Sequence, residues 1–314
     1  MLRLIARRIA LAALTLLVVS IVVFSLASLL PGDAAEEALG QGATAETVAA
    51  LRRTLGLDQP APLRYANWLR GMLSGNPGQS LANQMPVAEL VRERLPNSLL
   101  LAGLTALIAV PFALLIGILS AMYRGSGLDR ALNLLTLSMV AVPEFLVATL
   151  AVLLFAVNLH WLPALSSPPA QFTAPALLRA FALPVMTLCF VVVAQMARMT
   201  RAALIDQLDT PYAQMARLKG AGPVRIVLYH ALPNALGPMA NAIALSLSYL
   251  MGGAIIVETI FNYPGLASLM VDAVTSRDMP LLQACAMIFC AGYLALVLIA
   301  DICAILANPR LRRG

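Results

Sequence analysis

The chain has 314 residues, of which 61% are apolar and 11% are charged. An ordinary soluble domain carries about 25% charged residues, so this composition excludes a soluble globular protein and indicates a chain that lies in a lipid bilayer. The net charge of +6 is explained by membrane topology, as argued next, and gives no support to nucleic-acid binding.

Six long apolar runs follow one another, and each approaches or exceeds the ~20 residues needed to cross ~30 Å of hydrocarbon. We predict an all-α fold with six transmembrane helices, at about residues 9–30, 97–121, 132–157, 180–197, 236–258 and 283–307. A β-barrel is excluded because the runs are apolar on every face, without the alternation of barrel strands. Pro111, Pro143 and Pro184 fall inside three runs and are predicted to kink these helices without ending them.

The first run follows Arg3, Arg7 and Arg8 and has the appearance of a signal peptide. Its apolar stretch is longer than the ~7–15 residues of a signal core, and no clean small-x-small cleavage site precedes Pro31-Gly32-Asp33. We therefore expect an uncleaved membrane anchor.

Basic residues predict the orientation of the chain. With the N-terminus inside, thirteen of the 21 Lys and Arg residues lie in cytoplasmic segments. Six others lie in segment 31–96, which exceeds the ~60-residue limit of the positive-inside rule. Only Arg179 and Arg277 then remain outside, so both termini are predicted to face the cytoplasm.

Two amphipathic helices are predicted in the external segment, at about residues 46–55 and 63–73, with Gly56 and Gly75 after them. They are expected either to lie on the membrane surface or to receive a soluble partner. We divide the chain into residues 1–96, with the first span and this segment, and residues 97–314, with five spans.

One cytoplasmic loop, residues 198–235, is long enough to contain structure of its own. Thr210 is predicted to cap a short helix that begins at Pro211. The helix is expected to end near Lys219, because Gly220 can adopt a left-handed conformation. A second helix is expected to begin near Arg225, with an interruption at Leu232-Pro233.

Ala213, Ala216 and Gly220 recur at helical spacing and leave one face of the short helix nearly free of side chains. Tyr212, Met215 and Lys219 border that face. The small face favours two alternatives equally: insertion into a groove of a partner, or packing against the membrane helices of the same chain.

The same loop resembles the Glu-Ala-Ala…Gly…Ile-x-Leu-Pro loop of permeases in ATP-binding-cassette (ABC) importers. Ala216, Gly220, Leu232 and Pro233 match that pattern at the same spacing. The departures are Gln214 for the acidic residue, Met215 for the first alanine and His230 for the isoleucine.

Nearly the whole chain is similar to the first permease subunit of the dipeptide, oligopeptide and nickel importer family. The ordered stretches that carry this resemblance are residues 55–69, 93–102, 212–236, 257–283 and 308–312. The resemblance implies the type I ABC importer architecture in a bacterial inner membrane. It also implies a second, related permease subunit, two cytoplasmic ATPases and an external solute-binding protein as partners.

In such importers the loop helix sits in a groove of an ATPase. By this resemblance Ala213, Ala216 and Gly220 would make the close contact with the ATPase, and Tyr212 and Lys219 would lie at its edge; Leu232 and Pro233 complete the coupling motif. No Gly-x-x-x-x-Gly-Lys-Ser/Thr loop occurs in the sequence. The chain is therefore expected to be no enzyme and to bind no cofactor, with ATP and Mg on the partner ATPases.

Three carboxylates lie in or beside predicted spans. An unpaired charge in lipid costs at least ~2.5–3.5 kcal/mol, so each is expected to face the bundle interior or water. Glu144 is predicted either to line the translocation pathway or to pair with a partner subunit, and Glu258 to brace an outer gate near residues 261–265. Asp301 is expected to bond Arg310 or water.

Other function classes are less well supported. A proton-coupled secondary transporter is the main alternative, although no convincing internal repeat is present. An intramembrane hydrolase is disfavoured because no Gly-x-Ser-Gly motif accompanies His160 or His230. The four cysteines lie in apolar runs without ligand spacing, so no metal site is predicted. The sequence leaves the cargo open among dipeptides, oligopeptides, glutathione, opines, nickel and metal chelates, with peptides favoured.

Overall fold

The computed structural model describes residues 2–29, 44–54, 58–169 and 171–307. Over these residues the regular structure is helical, apart from an isolated β-bridge between Gln79 and Pro86. The predicted all-α fold class is confirmed. The helices are α1 (Leu2–Leu29), α2 (Ala45–Thr54), α3 (Ala61–Leu73), α4 (Val87–Met122), α5 (Gly127–Ala141), α6 (Glu144–Asn158), α7 (Ala174–Leu208), α8 (Pro211–Leu218), α9 (Pro223–Ile260), α10 (Leu266–Thr275) and α11 (Met279–Ala307).

Five helices, α1, α4, α7, α9 and α11, are each long and apolar enough to cross a bilayer. The predicted span 132–157 corresponds to α5 and α6, which meet at 93°. Counting this bent pair as one span gives six, the predicted number. The inside-facing termini stay a prediction.

The break between α5 and α6 corrects one expectation about proline. Pro143 does not kink a continuous helix; it precedes the first residue of α6, and Val142 before it has extended backbone angles of φ −88° and ψ 124°. The proline ring disfavours the helical conformation of the residue before it, which ends α5. Pro111 and Pro184 lie inside α4 and α7, as expected.

The chain divides into two compact units. The main unit comprises residues 1–10, 99–263 and 292–314, and the second unit comprises residues 11–98 and 264–291. The core of the main unit is formed by apolar side chains of α4, α6, α7 and α9. The domain boundary predicted at residue 96 stays a prediction.

Close packing of α4 on α7 in the main unit depends on Gly117. A Cβ atom at this position would lie 2.7 Å from the carbonyl oxygen of Ala197 and 2.7 Å from the Cβ of Thr200. Real Cβ contacts are not this short, so a larger residue would force the two helices apart.

In the second unit α3 packs against α1 through aromatic rings. Tyr65 and Trp68 lie 5.5 and 5.6 Å from the ring of Phe24, and the hydroxyls of Tyr65 and Ser20 are 2.7 Å apart. Both predicted amphipathic helices are present, and Gly75 follows α3 with φ 75°. Gly56 lies outside the described residues.

Candidate functional site

The short loop helix α8 begins at Pro211, as predicted. Thr210 occupies the capping position, but its hydroxyl donates to the carbonyl oxygen of Gln207 at 2.5 Å and does not accept a bond from α8. The proline at the first helical position has no N–H, so one group that normally needs a cap is absent.

Gly220 ends α8 in the conformation that the sequence predicts. Its φ is 82°, its N–H donates to Arg217 at 3.0 Å, and the N–H of Ala221 donates to Ala216 at 3.1 Å. This pair of bonds is a Schellman motif, which requires a left-handed residue at the position of Gly220. Glycine adopts that conformation without a steric cost.

The small face of α8 packs against the chain itself. Ala213 is 1% exposed and belongs to a cluster with Leu204 and Leu208 of α7 and Ile226 and Val227 of α9. In this conformation the methyl group of Ala213 is covered by the chain itself, and its contact with an ATPase stays a prediction. Of the two alternatives left open by the sequence, packing within the chain holds for Ala213.

Ala216 is partly buried in the same cluster, whereas Gly220 and Lys219 are exposed. The outer side of α8 carries large side chains instead of small ones. Tyr212 and Met215 are exposed there, and Leu218 is 82% exposed. These groups and Gly220 are available to a partner, whereas Ala213 is not.

Tyr212 connects α8 to the start of α9. Its hydroxyl lies 3.1 Å from Oε1 of Gln207 and 3.3 Å from the carbonyl oxygen of His230, so its one proton has two acceptors. Gln214, which replaces the acidic residue of the resembled pattern, donates to the carbonyl oxygen of Asp209 at 3.1 Å. The loop is thus held by polar contacts as well as by its apolar face.

The predicted interruption at Leu232-Pro233 is wrong. α9 runs continuously from Pro223 to Ile260, and residues Ile226–Ala231 form a π-helical turn. A proline cannot donate to the residue four positions back, and the wider turn accommodates its ring without breaking the helix.

A buried ionic network in the main unit was missed by sequence reasoning. Both oxygens of Asp129, at the start of α5, accept bonds from Arg201 of α7 at 2.9 Å. Asp129 also accepts bonds from Ser120, from Asn133 and from the N–H of Gly125. The sequence contained one local signal for Asp129, because Ser126 and Asp129 have the spacing of a capping box at a helix start. In the structure the Ser126 hydroxyl accepts the N–H of Asp129.

Glu144 is the first residue of α6, directly after the break, and is 7% exposed. Its Oε2 accepts a hydrogen bond from the hydroxyl of Tyr249 in α9 at 3.1 Å. Its Oε1 is buried and has no hydrogen-bond partner among the described residues. Glu144 therefore has a partner in its own chain, but half of its carboxylate is unsatisfied.

Glu258 is fully buried near the end of α9. Its carbonyl oxygen accepts the N–H of Tyr263 at 2.8 Å, and Asn262 between them has φ 46°. Burial, and then the nearby Glu258 carboxylate, raise the pKa of the Tyr263 hydroxyl. Glu258 thus lies next to the turn at residues 261–263, close to the predicted segment 261–265. Its role in an outer gate stays a prediction.

Asp301 pairs with Arg8, whose Nη1 lies 2.8 Å from Oδ2 of Asp301. The expected partner Arg310 lies outside the described residues. The pair joins the first and last spans within the main unit.

Two stretches that resemble the importer family meet in the second unit. The side-chain amide of Asn97 donates to the carbonyl oxygen of Pro264 at 2.7 Å, and the N–H of Leu266 donates to the hydroxyl of Ser98 at 2.7 Å. The stretches 93–102 and 257–283 are therefore in direct contact at these residues.

The five long apolar helices and the bent pair α5–α6 define a multi-pass membrane protein, in which the α8 loop joins α7 to α9. A permease of the MetNI methionine ABC transporter, solved in inward-facing conformations, has the same fold, with a TM-score of 0.51 and 18% identity; the match covers 71% of this chain and 95% of that chain. The chain therefore has the type I ABC importer permease fold.

The family is defined by two matches. Residues 113–313 match the binding-protein-dependent transport system inner membrane component, and residues 1–102 match the N-terminal part of such membrane components. The chain belongs to this family and is a permease subunit of an ABC importer.

Curated relatives match along almost their full length. A putative peptide transport system permease of Brucella abortus (strain 2308) is 36% identical over 98% of both chains. A probable peptide ABC transporter permease of Sinorhizobium fredii is 34% identical over 98% of both. The glutathione transport system permease GsiC of Salmonella choleraesuis is 35% identical over 95% of both.

Proposed function

We propose that the chain forms half of the translocation pathway of an ABC importer for peptides or glutathione-like solutes. Family membership supports the importer class, and the names of the Brucella and Salmonella relatives support the cargo class. In this assignment a second, related permease completes the pathway, and an external binding protein delivers the cargo. Dependence on a binding protein favours the importer over the proton-coupled carrier.

Coupling to the partner ATPases is assigned to α8. The observation that carries this assignment is the two-sided character of the helix: Ala213 anchors it to the bundle, while Tyr212, Met215 and Leu218 project outward. An apolar surface of this kind suits insertion into a groove of a cytoplasmic protein. Because α8 is packed on α7 and α9, a displacement of α8 by ATPase closure would be passed to both spans as a rigid-body motion.

This assignment places α8 and both termini in the cytoplasm. ATP and Mg are bound by the ATPases, and this chain supplies the docking surface and the pathway. The residues proposed for docking are those on the outer side of α8 together with Lys219 and Gly220. Leu232 and Pro233 directly follow the π-helical turn of α9, and Leu232 packs against the cluster that contains Ala213.

Purification of the tagged chain with its genomic neighbours tests the proposed function. We expect a second permease and an ATPase to co-purify in mild detergent. Hydrolysis of ATP should be stimulated by cargo-loaded binding protein, and uptake should survive collapse of the proton gradient. Recovery of a stable chain alone, with uptake that stops when the proton gradient is collapsed, would contradict the importer assignment.

Substitution of Gly220 tests the role of α8. A side chain at this position meets no atom of the chain within 4 Å, but the φ of 82° is unfavourable for other residues. Gly220→Val should distort the end of α8 and lower transport at least tenfold relative to ATP hydrolysis. Gly220→Asn is the matched control, because asparagine tolerates the left-handed conformation. Normal coupling of an assembled Gly220→Val complex would exclude α8 as the coupling element.

A further inference from the structure

One face of α9 is exposed in the main unit and contains polar groups. This face consists of Asn241, Leu245, Tyr249 and Ile256. The two residues next to Tyr249 in the chain, Ser248 and Leu250, point inward and are buried. Polar side chains at membrane depth face water or protein more often than lipid. This stripe of α9 therefore suits a wall of the pathway better than a lipid-facing surface.

Glu144 lies behind this stripe. Its carboxylate contacts α9 through Tyr249, whose side chain is 40% exposed and whose hydroxyl donates to Oε2. Asp129, Asp209 and Asp301 of the main unit each pair with an arginine, whereas no Lys, Arg or His among the described residues pairs with Glu144. Within the part of the chain that the structure describes, the carboxylate thus has no counter-ion, and its Oε1 is a free acceptor.

We infer that Glu144 and Tyr249 form a recognition site for a primary ammonium group carried by the cargo. The inference rests on the proposed import of peptides, whose amino terminus is such a group. An ammonium group has three donors and no acceptor. Two of them match the carboxylate oxygens, and the third matches the oxygen of the Tyr249 hydroxyl. The Tyr249 hydroxyl keeps its lone pairs free while it donates to Oε2, and the low dielectric of this buried position strengthens a charge-assisted bond to the carboxylate.

Thiol labelling tests the site without cargo. In the assembled complex, Tyr249→Cys is treated with a cationic and with an anionic methanethiosulfonate reagent, and the labelling of the parent complex is subtracted. Leu245→Cys, one turn away on the same stripe, is the matched control. The cation preference is the ratio of the labelling rate with the cationic reagent to that with the anionic reagent, corrected for the same ratio on a free thiol. We expect this preference to be about fivefold higher at position 249 than at position 245.

The same measurement in the Glu144→Gln background identifies the source of the preference. The preference at position 249 should fall to the value at position 245. Equal preferences at the two positions with Glu144 present would overturn the inference, because they would mean that the carboxylate is neutral or sealed from the pathway.

Uptake with defined peptides tests recognition of the cargo. In Glu144→Gln and Tyr249→Phe complexes, maximal uptake of Ala-Ala should fall about tenfold relative to wild type, and uptake of N-acetyl-Ala-Ala less than twofold. N-acetyl-Ala-Lys distinguishes a side-chain ammonium from the amino terminus as the recognised group. Equal losses for the free and the acetylated peptide overturn the inference.

The two tests separate this inference from the proposed function. If no peptide is transported but the labelling preference is present, the cargo class is wrong and the cation site stands. If peptides are transported and the labelling preference is absent, the importer stands and Glu144 is structural. If the wild-type complex does not import acetylated peptides, the cation preference at position 249 alone decides whether Glu144 and Tyr249 form a cation site.

Discussion

Two buried carboxylates begin the two halves of the bent span, and their surroundings differ. Asp129, near the start of α5, accepts bonds from Arg201, Ser120, Asn133 and the N–H of Gly125. Glu144, at the start of α6, accepts one bond from Tyr249, and its second oxygen has no partner among the described residues. A fully bonded carboxylate holds helices together, whereas a half-bonded one keeps capacity for a ligand at a cost in stability.

The largest expected effect follows from removal of the Asp129 charge. Asp129→Asn leaves the partly buried Arg201 without its counter-ion, and loss of one member of a buried pair costs about 3–5 kcal/mol. We expect a large fall in the unfolding midpoint of the detergent-solubilised complex, measured by SDS titration. The double variant Asp129→Leu/Arg201→Met, which removes both charges, should recover most of the loss. An unchanged midpoint for Asp129→Asn would mean that the network is not structural.

Gly117 tests whether the network depends on close helix packing. Gly117 lies one turn before Ser120 on α4 and faces Thr200, the neighbour of Arg201 on α7. Gly117→Val should separate the helices and destabilise the main unit by about 1–3 kcal/mol. The same titration measures this loss, and Gly103→Val on the same helix, where a Cβ meets no atom within 4 Å, is the matched control. Equal losses in both variants would point to a general effect of valine on the helix.

Glu144→Gln gives the smallest expected change in stability. The glutamine keeps the shape of the side chain and an acceptor for Tyr249, so the midpoint should change by less than about 1 kcal/mol. A loss as large as that of Asp129→Asn would remove the contrast between the two carboxylates and would make Glu144 a structural residue.

Local features of the fold could be predicted from the sequence. Apolar length located the spans, and the turn chemistry of Pro211 and Gly220 gave the limits of α8 to within one residue. The break at Pro143 could not be predicted, because a proline in a membrane helix kinks it or ends it according to how neighbouring helices satisfy the freed backbone groups.

The partners of polar and small residues were less accessible to sequence reasoning. Helical spacing identified the face that contains Ala213 but not the surface that covers it, since periodicity carries no information about neighbours. Arg201 was counted only for topology, and its bond to Asp129 spans 72 positions. Arg8 and Asp301 are 293 positions apart. Such pairings depend on the packing of distant helices and leave no local signal.

Photo-crosslinking most directly tests the claim that α8 docks a cytoplasmic ATPase. A benzoylphenylalanine replaces Leu218 on the outer side of α8 or, as a control, the exposed Trp161 after α6, which is predicted to lie on the opposite side of the membrane. We predict an adduct with the ATPase from position 218 and none from position 161. An adduct from position 161, or none from position 218 in an assembled complex, would contradict the assignment of α8 as the coupling helix.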